Sequence, residues 1–141
     1  MSDTQLYKAQ LLEHFKKPRN KAAGNLAELQ RVARGSNPSC GDDIEVGFNI
    51  VNDIIEPILF RGRGCSVCIA SASMMTEVVS GAAPSQAKAI AKQMQLWIAG
   101  EEADIPASLQ ALDAVRHHPA RKKCVMLAWN ALSEGLEASN G

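Results

Sequence analysis

Ile44-Glu45-Val46-Gly47-Phe48-Asn49-Ile50 is the stretch on which the fold turns. Apolar side chains at 44, 46, 48 and 50 alternate with polar or small ones, which is the period of a strand with one buried face. Asn52-Asp53 can turn the chain, and Ile54 to Phe60 predicts a second strand, so the two runs form an antiparallel hairpin. Pro57 removes a ladder donor and marks an edge or a bulge. Upstream, Asn25 to Arg34 mixes Leu26, Leu29, Val32 and Ala33 with polar residues. That pattern permits strand or helix, and we read it as an edge strand.

Outward from the hairpin the pattern is helical. Thr4 to Phe15 places Leu6, Leu11, Leu12 and Phe15 at near-helical spacing, and Pro18-Arg19-Asn20 ends the run. After Gly62 and Gly64, the residues Val67, Ala70, Met74 and Val78 share one helix face, with Gly81 as the C-cap. Pro84 starts a further helix carrying Ile90, Met94 and Trp97, which Gly100 ends. A short helical stretch runs from Pro106 through Val115, His117-His118-Pro119 interrupts it, and a last helix extends from about Pro119 to Gly135. The small, polar tail to Gly141 is expected to fray. A strand cluster followed by helices only defines a segregated α+β class, a small antiparallel sheet with helices over one face.

With 141 residues, 46% of them hydrophobic, the chain is expected to form one domain, residues 1–141, around a real core. Lys+Arg (15) balances Asp+Glu (15), so no overall field favours nucleic acid or an anionic membrane, and partners must be recognised by local surface. Met1 to Gln10 is polar, and no stretch has the apolar length to cross a bilayer, so a cytoplasmic location is expected. In a reducing compartment the four cysteines point to metal or thiol chemistry before disulfides.

Cys40, Cys65 and Cys124 each fall at a junction: a Pro-Ser-Cys-Gly-Asp turn, a Gly-Cys turn, and the start of the last helix. Asp42 offers a hard oxygen beside the soft sulfur of Cys40, and three thiolates with one carboxylate would close a tetrahedral zinc site. On spacing alone, three unrelated buried cysteines are an equally simple reading. The neighbouring glycines, proline and basic cluster tilt the balance toward a site. Cys65 and Cys68 form a Cys-x-x-Cys pair, either two ligands or a redox couple, although Cys68 lies one turn into the helix where packing accounts for it more simply. His117 and His118 are read as a stop signal with a favourable helix-dipole interaction. Arg121, Lys122 and Lys123 would support a thiolate at Cys124, although such charge runs are usually solvated.

Several motifs in order resemble the IscU/NifU-type iron-sulfur scaffold superfamily: Leu6-Tyr7 with His14-Phe15 and Pro18-Arg19-Asn20, Asn37-Pro38-Ser39-Cys40-Gly41-Asp42, Gly64-Cys65-Ser66 with Ala70 to Thr76, and Pro119 to Cys124 with Leu127-Ala128-Trp129. Within it the chain is similar to the SufU-type branch. Lys123 stands where IscU-type scaffolds carry His, the segment from about Lys92 to His118 is longer, and the Leu-Pro-Pro-Val-Lys chaperone motif is missing. The resemblance implies a three-stranded antiparallel sheet covered by helices. It implies Zn2+ held by Cys40, Asp42, Cys65 and Cys124, with Cys40 accepting sulfur and Arg121 a basic residue beside it. The implied partners are a cysteine desulfurase of the SufS type and downstream iron-sulfur assembly proteins. Cys68 departs from the branch, which usually has a small hydroxylated residue there. Three activities fit: a zinc-dependent sulfurtransferase, a scaffold holding a [2Fe-2S] cluster on the same residues, and a non-catalytic, zinc-stapled activator of a desulfurase.

Overall fold

Strand β2 (Asp42–Val51) is the middle of a three-stranded antiparallel sheet, between β1 (Arg31–Asn37) and β3 (Ile54–Arg63). The computed structural model describes residues 3–38 and 41–137. Helix α1 (Asp3–Lys16) precedes the sheet, and α2 (Ser66–Val79), α3 (Pro84–Ile98), a 3-10 helix (Ala107–Ala114) and α4 (Pro119–Glu137) follow it. This is the α+β arrangement expected from the sequence.

Alternation along β2 buries Ile44, Val46 and Phe48 against the helices, in register with Ala33 on β1 and Phe60 and Ile58 on β3. Asn52 and Asp53, at φ 54 and 64, make the two-residue hairpin turn whose twist matches the strands. The β2–β3 register shifts between Phe48 and Ile50, opposite the stretch that contains Pro57, so the proline sits on an edge strand where the ladder is already interrupted.

One sequence expectation needs correcting. Strand β1 begins at Arg31, not Asn25, and residues 25–30 form a turn closed by Leu29 N–H donating to the Leu26 carbonyl at 3.0 Å. Leu26 is buried because it covers the outer sheet face above Gly47, where a Cβ would lie 2.8 Å from Leu29 Cδ1 and 3.1 Å from Leu26 Cβ. On α1, Leu6, Leu12 and Phe15 are 44%, 50% and 41% exposed, and the inward stripe is Tyr7, Leu11 and His14. The polar His14 completes the i, i+4, i+7 face with Tyr7 and Leu11.

Helix α2 is buried continuously from Val67 to Thr76, a wider surface than the face 67, 70, 74 and 78, because α1, α4 and the sheet all pack on it. Its small residues make polar seams. Ser71 donates to the Val125 carbonyl of α4 at 2.7 Å. Ser73 Oγ lies 2.8 Å from His14 Nδ1 and accepts the Arg19 N–H at 2.8 Å, and Asn20 Nδ2 donates to Thr76 Oγ1 at 3.1 Å. The His14 and Pro18-Arg19-Asn20 motifs therefore fasten α1 to α2.

His14 Nε2 lies 3.5 Å from Glu77, and the side chain is 13% exposed. Burial lowers its pKa below the ordinary 6.5, Arg19 adds to this, and Glu77 and Glu13 oppose it. Below pH 6.5 the unfolded chain then binds more protons than the fold, so the stability present above that pH is lost as pH falls. Between about pH 7.5 and about pH 5.5, the thermal midpoint of the wild type should fall further than that of His14→Gln, and parallel profiles would refute this.

Candidate metal centre

Three chain junctions meet at the end of the sheet where β2 begins. Asp42 is its first residue, on the same buried face as Ile44 and 2% exposed. Cys65 is the N-cap of α2, reached by the turn that leaves β3. Cys124 projects from the second turn of α4 and is 2% exposed. One carboxylate oxygen and the two sulfurs all lie within 4.8 Å of one another. The Cys65 N–H donates to Asp42 Oδ1 at 3.0 Å, the Cys124 thiol donates to Oδ2 at 3.1 Å, and Cys65 Sγ is 4.0 Å from Oδ2. Cys40 lies outside the described residues.

Electrostatics set this cluster apart from ordinary core. No Lys or Arg forms an ion pair with the buried Asp42 among the described residues. Its chain neighbour Asp43 points to the other face and takes both arms of Arg34. Burial pushes the Cys124 thiol well above its ordinary range, and Asp42 and Cys65 reinforce this. Burial likewise raises Cys68, to about 12, with Asp42 and Cys65 adding to it. A buried carboxylate beside the raised Cys124 thiol, with no Lys or Arg paired to it among the described residues, belongs to a donor set that a divalent cation completes by displacing the thiol proton. Zinc bonds of about 2.3 Å to sulfur and about 2.1 Å to oxygen set tetrahedral ligand atoms roughly 3.6 to 3.8 Å apart, and the 3.1 Å and 4.0 Å separations of the two sulfurs from Asp42 Oδ2 bracket that spacing, so the residues fit that ion.

Gly64 keeps the approach open. A Cβ there would lie 3.0 Å from Asp42 Oδ1 and 3.0 Å from Cys68 Sγ, so any side chain would crowd the carboxylate. In the sequence Gly64 signals only a turn, and neither this crowding nor the Cys65 N–H that holds Asp42 is visible there. Cys68 is fully buried in the hydrophobic core and stands outside the group of three, in keeping with its reading as a packing residue.

The basic positions stay on the surface. Arg121 is exposed one turn before Cys124, and no described side chain pairs with it. Lys122 and Lys123 border a separate groove with Asn37 and Met126. His117 is exposed with Nε2 3.9 Å from Asp113, and the His118 carbonyl accepts the N–H groups of Arg121 and Lys122. His118 thus starts α4 and takes no part in the cluster.

The fold and the cluster define a class: an α+β protein with a carboxylate–thiol cluster of metal-ligand type, built where strand and helix ends meet. The particular family follows from comparison. Residues 6–140 match the model of the NifU-like N-terminal domain, and the chain belongs to that family. It is 37% identical over 139 residues to the zinc-dependent sulfurtransferase SufU of Bacillus subtilis, covering 96% of this chain and 92% of that protein. It is also 37% identical over 137 residues to the iron-sulfur cluster assembly scaffold protein IscU of Streptococcus pyogenes, covering 95% and 84%. A crystal structure from Fervidobacterium islandicum, described as a candidate SUF-system scaffold, superposes with a TM-score of 0.81 at 27% identity, covering 96% of this chain and all of that one.

Proposed function

We propose that this protein is a zinc-dependent sulfurtransferase that accepts persulfide sulfur from a cysteine desulfurase for iron-sulfur cluster assembly. The observation that carries the reading is the buried Asp42 carboxylate, held against Cys65 and Cys124 with no cationic side chain paired to it among the described residues. Cys40, two residues before Asp42, completes the proposed ligand set of Cys40, Asp42, Cys65 and Cys124. Bound zinc would supply thiolates at neutral pH, including one at Cys124, whose thiol burial otherwise keeps protonated.

In the proposed transfer the Cys40 thiolate attacks the outer sulfur of the desulfurase persulfide. A new sulfur–sulfur bond forms on Cys40, the bond to the desulfurase cysteine breaks, and that cysteine leaves as a thiolate. Arg121, exposed one turn from Cys124, is proposed to favour the anionic sulfur as it enters. The protein is read as a cytoplasmic partner of a SufS-type desulfurase that passes sulfur to downstream assembly proteins.

The same donors suit iron, and the equal identity to the Streptococcus scaffold supports a second reading in which they hold a [2Fe-2S] cluster. Cys40→Ala in a desulfurase turnover assay tests the transfer. We expect stimulation by the variant to fall to background while its fold persists. Full stimulation by a zinc-loaded, folded Cys40→Ala would leave the activator reading and end the transfer reading.

A further inference from the structure

Successive β2 residues point to opposite faces, so Asp42 enters the buried cluster while Asp43 faces out. On the outer face, one row sets Arg34, Glu45 and Arg61 in register, and the next row pairs Asp43 with Arg63. Leu26 and Leu29 cover this face farther along, above Gly47, and leave the charged end open. Residues 20–22 run along the outer edge of β3, with Phe60 N–H donating to the Asn20 carbonyl at 3.0 Å and Ala22 N–H to the Phe60 carbonyl at 2.8 Å. Between that segment and the sheet lies a groove of about 540 Å³ bordered by Lys21, Arg34, Asp43, Glu45, Arg61 and Arg63.

Its charge is uneven. Arg34 is ion-paired with Asp43, which also faces Arg63, while Lys21, Arg61 and Arg63 form no ion pair among the described residues, so the four cations of the groove meet only the carboxylates Asp43 and Glu45. The chain as a whole is neutral, and a separate groove carries Glu101, Glu102 and Asp104. The positive groove is therefore a local feature capable of steering a partner that the whole-molecule charge cannot attract. It also adjoins the site: Arg63 is two residues before Cys65, and Asp43 follows Asp42.

We propose that this groove docks an acidic segment of the sulfur donor, so that the partner is gripped on the outer sheet face while its cysteine reaches the cluster at the same strand ends. The proposal rests on the sulfurtransferase reading for the identity of the partner, a cysteine desulfurase. Binding is supplied by Lys21, Arg61 and Arg63, and register by their spacing across the edge of β3.

The test is calorimetric binding of the full-length, zinc-loaded protein to a SufS-type desulfurase across a salt series, run beside desulfurase turnover. Arg61→Glu/Arg63→Glu, two exposed positions, is compared with Lys88→Glu/Lys92→Glu, an equal charge change on α3 outside the groove. The groove variant should bind at least about tenfold more weakly at low salt, with a flatter salt dependence, unchanged zinc content and an unchanged thermal midpoint. The α3 variant should bind as the wild type does. Equal weakening by both variants, no weakening by the groove variant, or no binding by the wild type would overturn the docking site. A change only in self-association would overturn it too, by assigning the groove to the acidic loop of a second copy. Salt-sensitive binding lost in the groove variant, but without any effect of the wild type on turnover or sulfur transfer, would uphold the docking site and sink the sulfurtransferase reading alone.

Discussion

Asp42→Asn should uncouple metal binding from folding. Asparagine keeps an oxygen for the Cys65 N–H but removes the negative charge that no Lys or Arg side chain among the described residues pairs with. In the metal-free protein that charge is a burial cost, so the variant should be at least as stable as the wild type once zinc is stripped by a chelator. With zinc present the order reverses. Loss of one anionic ligand is expected to weaken zinc about a hundredfold, which by mass action removes about 2.7 kcal/mol of the stabilisation that bound metal gives. Thermal melts of both proteins, with chelator and with excess zinc, read the crossing directly. A variant less stable than the wild type without metal, and equally stabilised by it, would show that Asp42 serves the fold alone.

Phe48→Ala should cost about 3 to 5 kcal/mol, the range expected for truncating a fully buried aromatic side chain. The ring is fully buried at the middle of β2, and α4 crosses it at Gly135, where a Cβ would lie 2.8 Å from Phe48 Cε1. Truncation leaves a cavity between the two elements that carry Asp42 and Cys124, so zinc affinity should fall along with stability. Gly135→Leu should destabilise the same seam by overpacking, by about 1 to 3 kcal/mol. Chemical denaturation measures both losses. A Phe48→Ala change under about 1 kcal/mol would mean that α4 does not depend on this contact.

Much of the hairpin was legible because a period of two survives in the residues themselves, and Asn52-Asp53 fits a turn that needs two positive φ angles. The start of β1 was not legible. Leu26 and Leu29 are buried by covering Gly47 from outside, a tertiary contact that leaves no strand period behind. The inward face of α1 was not legible for a related reason: His14 is an inward residue because Ser73 meets it, and a hydrophobic count passes over a histidine. At the site, Asp42, Cys65 and Cys124 could be selected by type and by their place at element ends, and the structure brings them together. What selection by type could not supply was the support: the Cys65 N–H on the carboxylate, the space left by Gly64, and the charge-bearing groove on the opposite face of the same strand.

The central claim is that a zinc-held thiol on Cys40 receives sulfur. It is tested most directly by metal analysis of freshly purified protein, followed by intact and peptide mass measurement after incubation with a cysteine desulfurase and L-cysteine. One zinc per chain and one added sulfur atom on the peptide that carries Cys40 are expected. Stoichiometric iron and sulfide in place of zinc, with no sulfur added to that peptide, would contradict it.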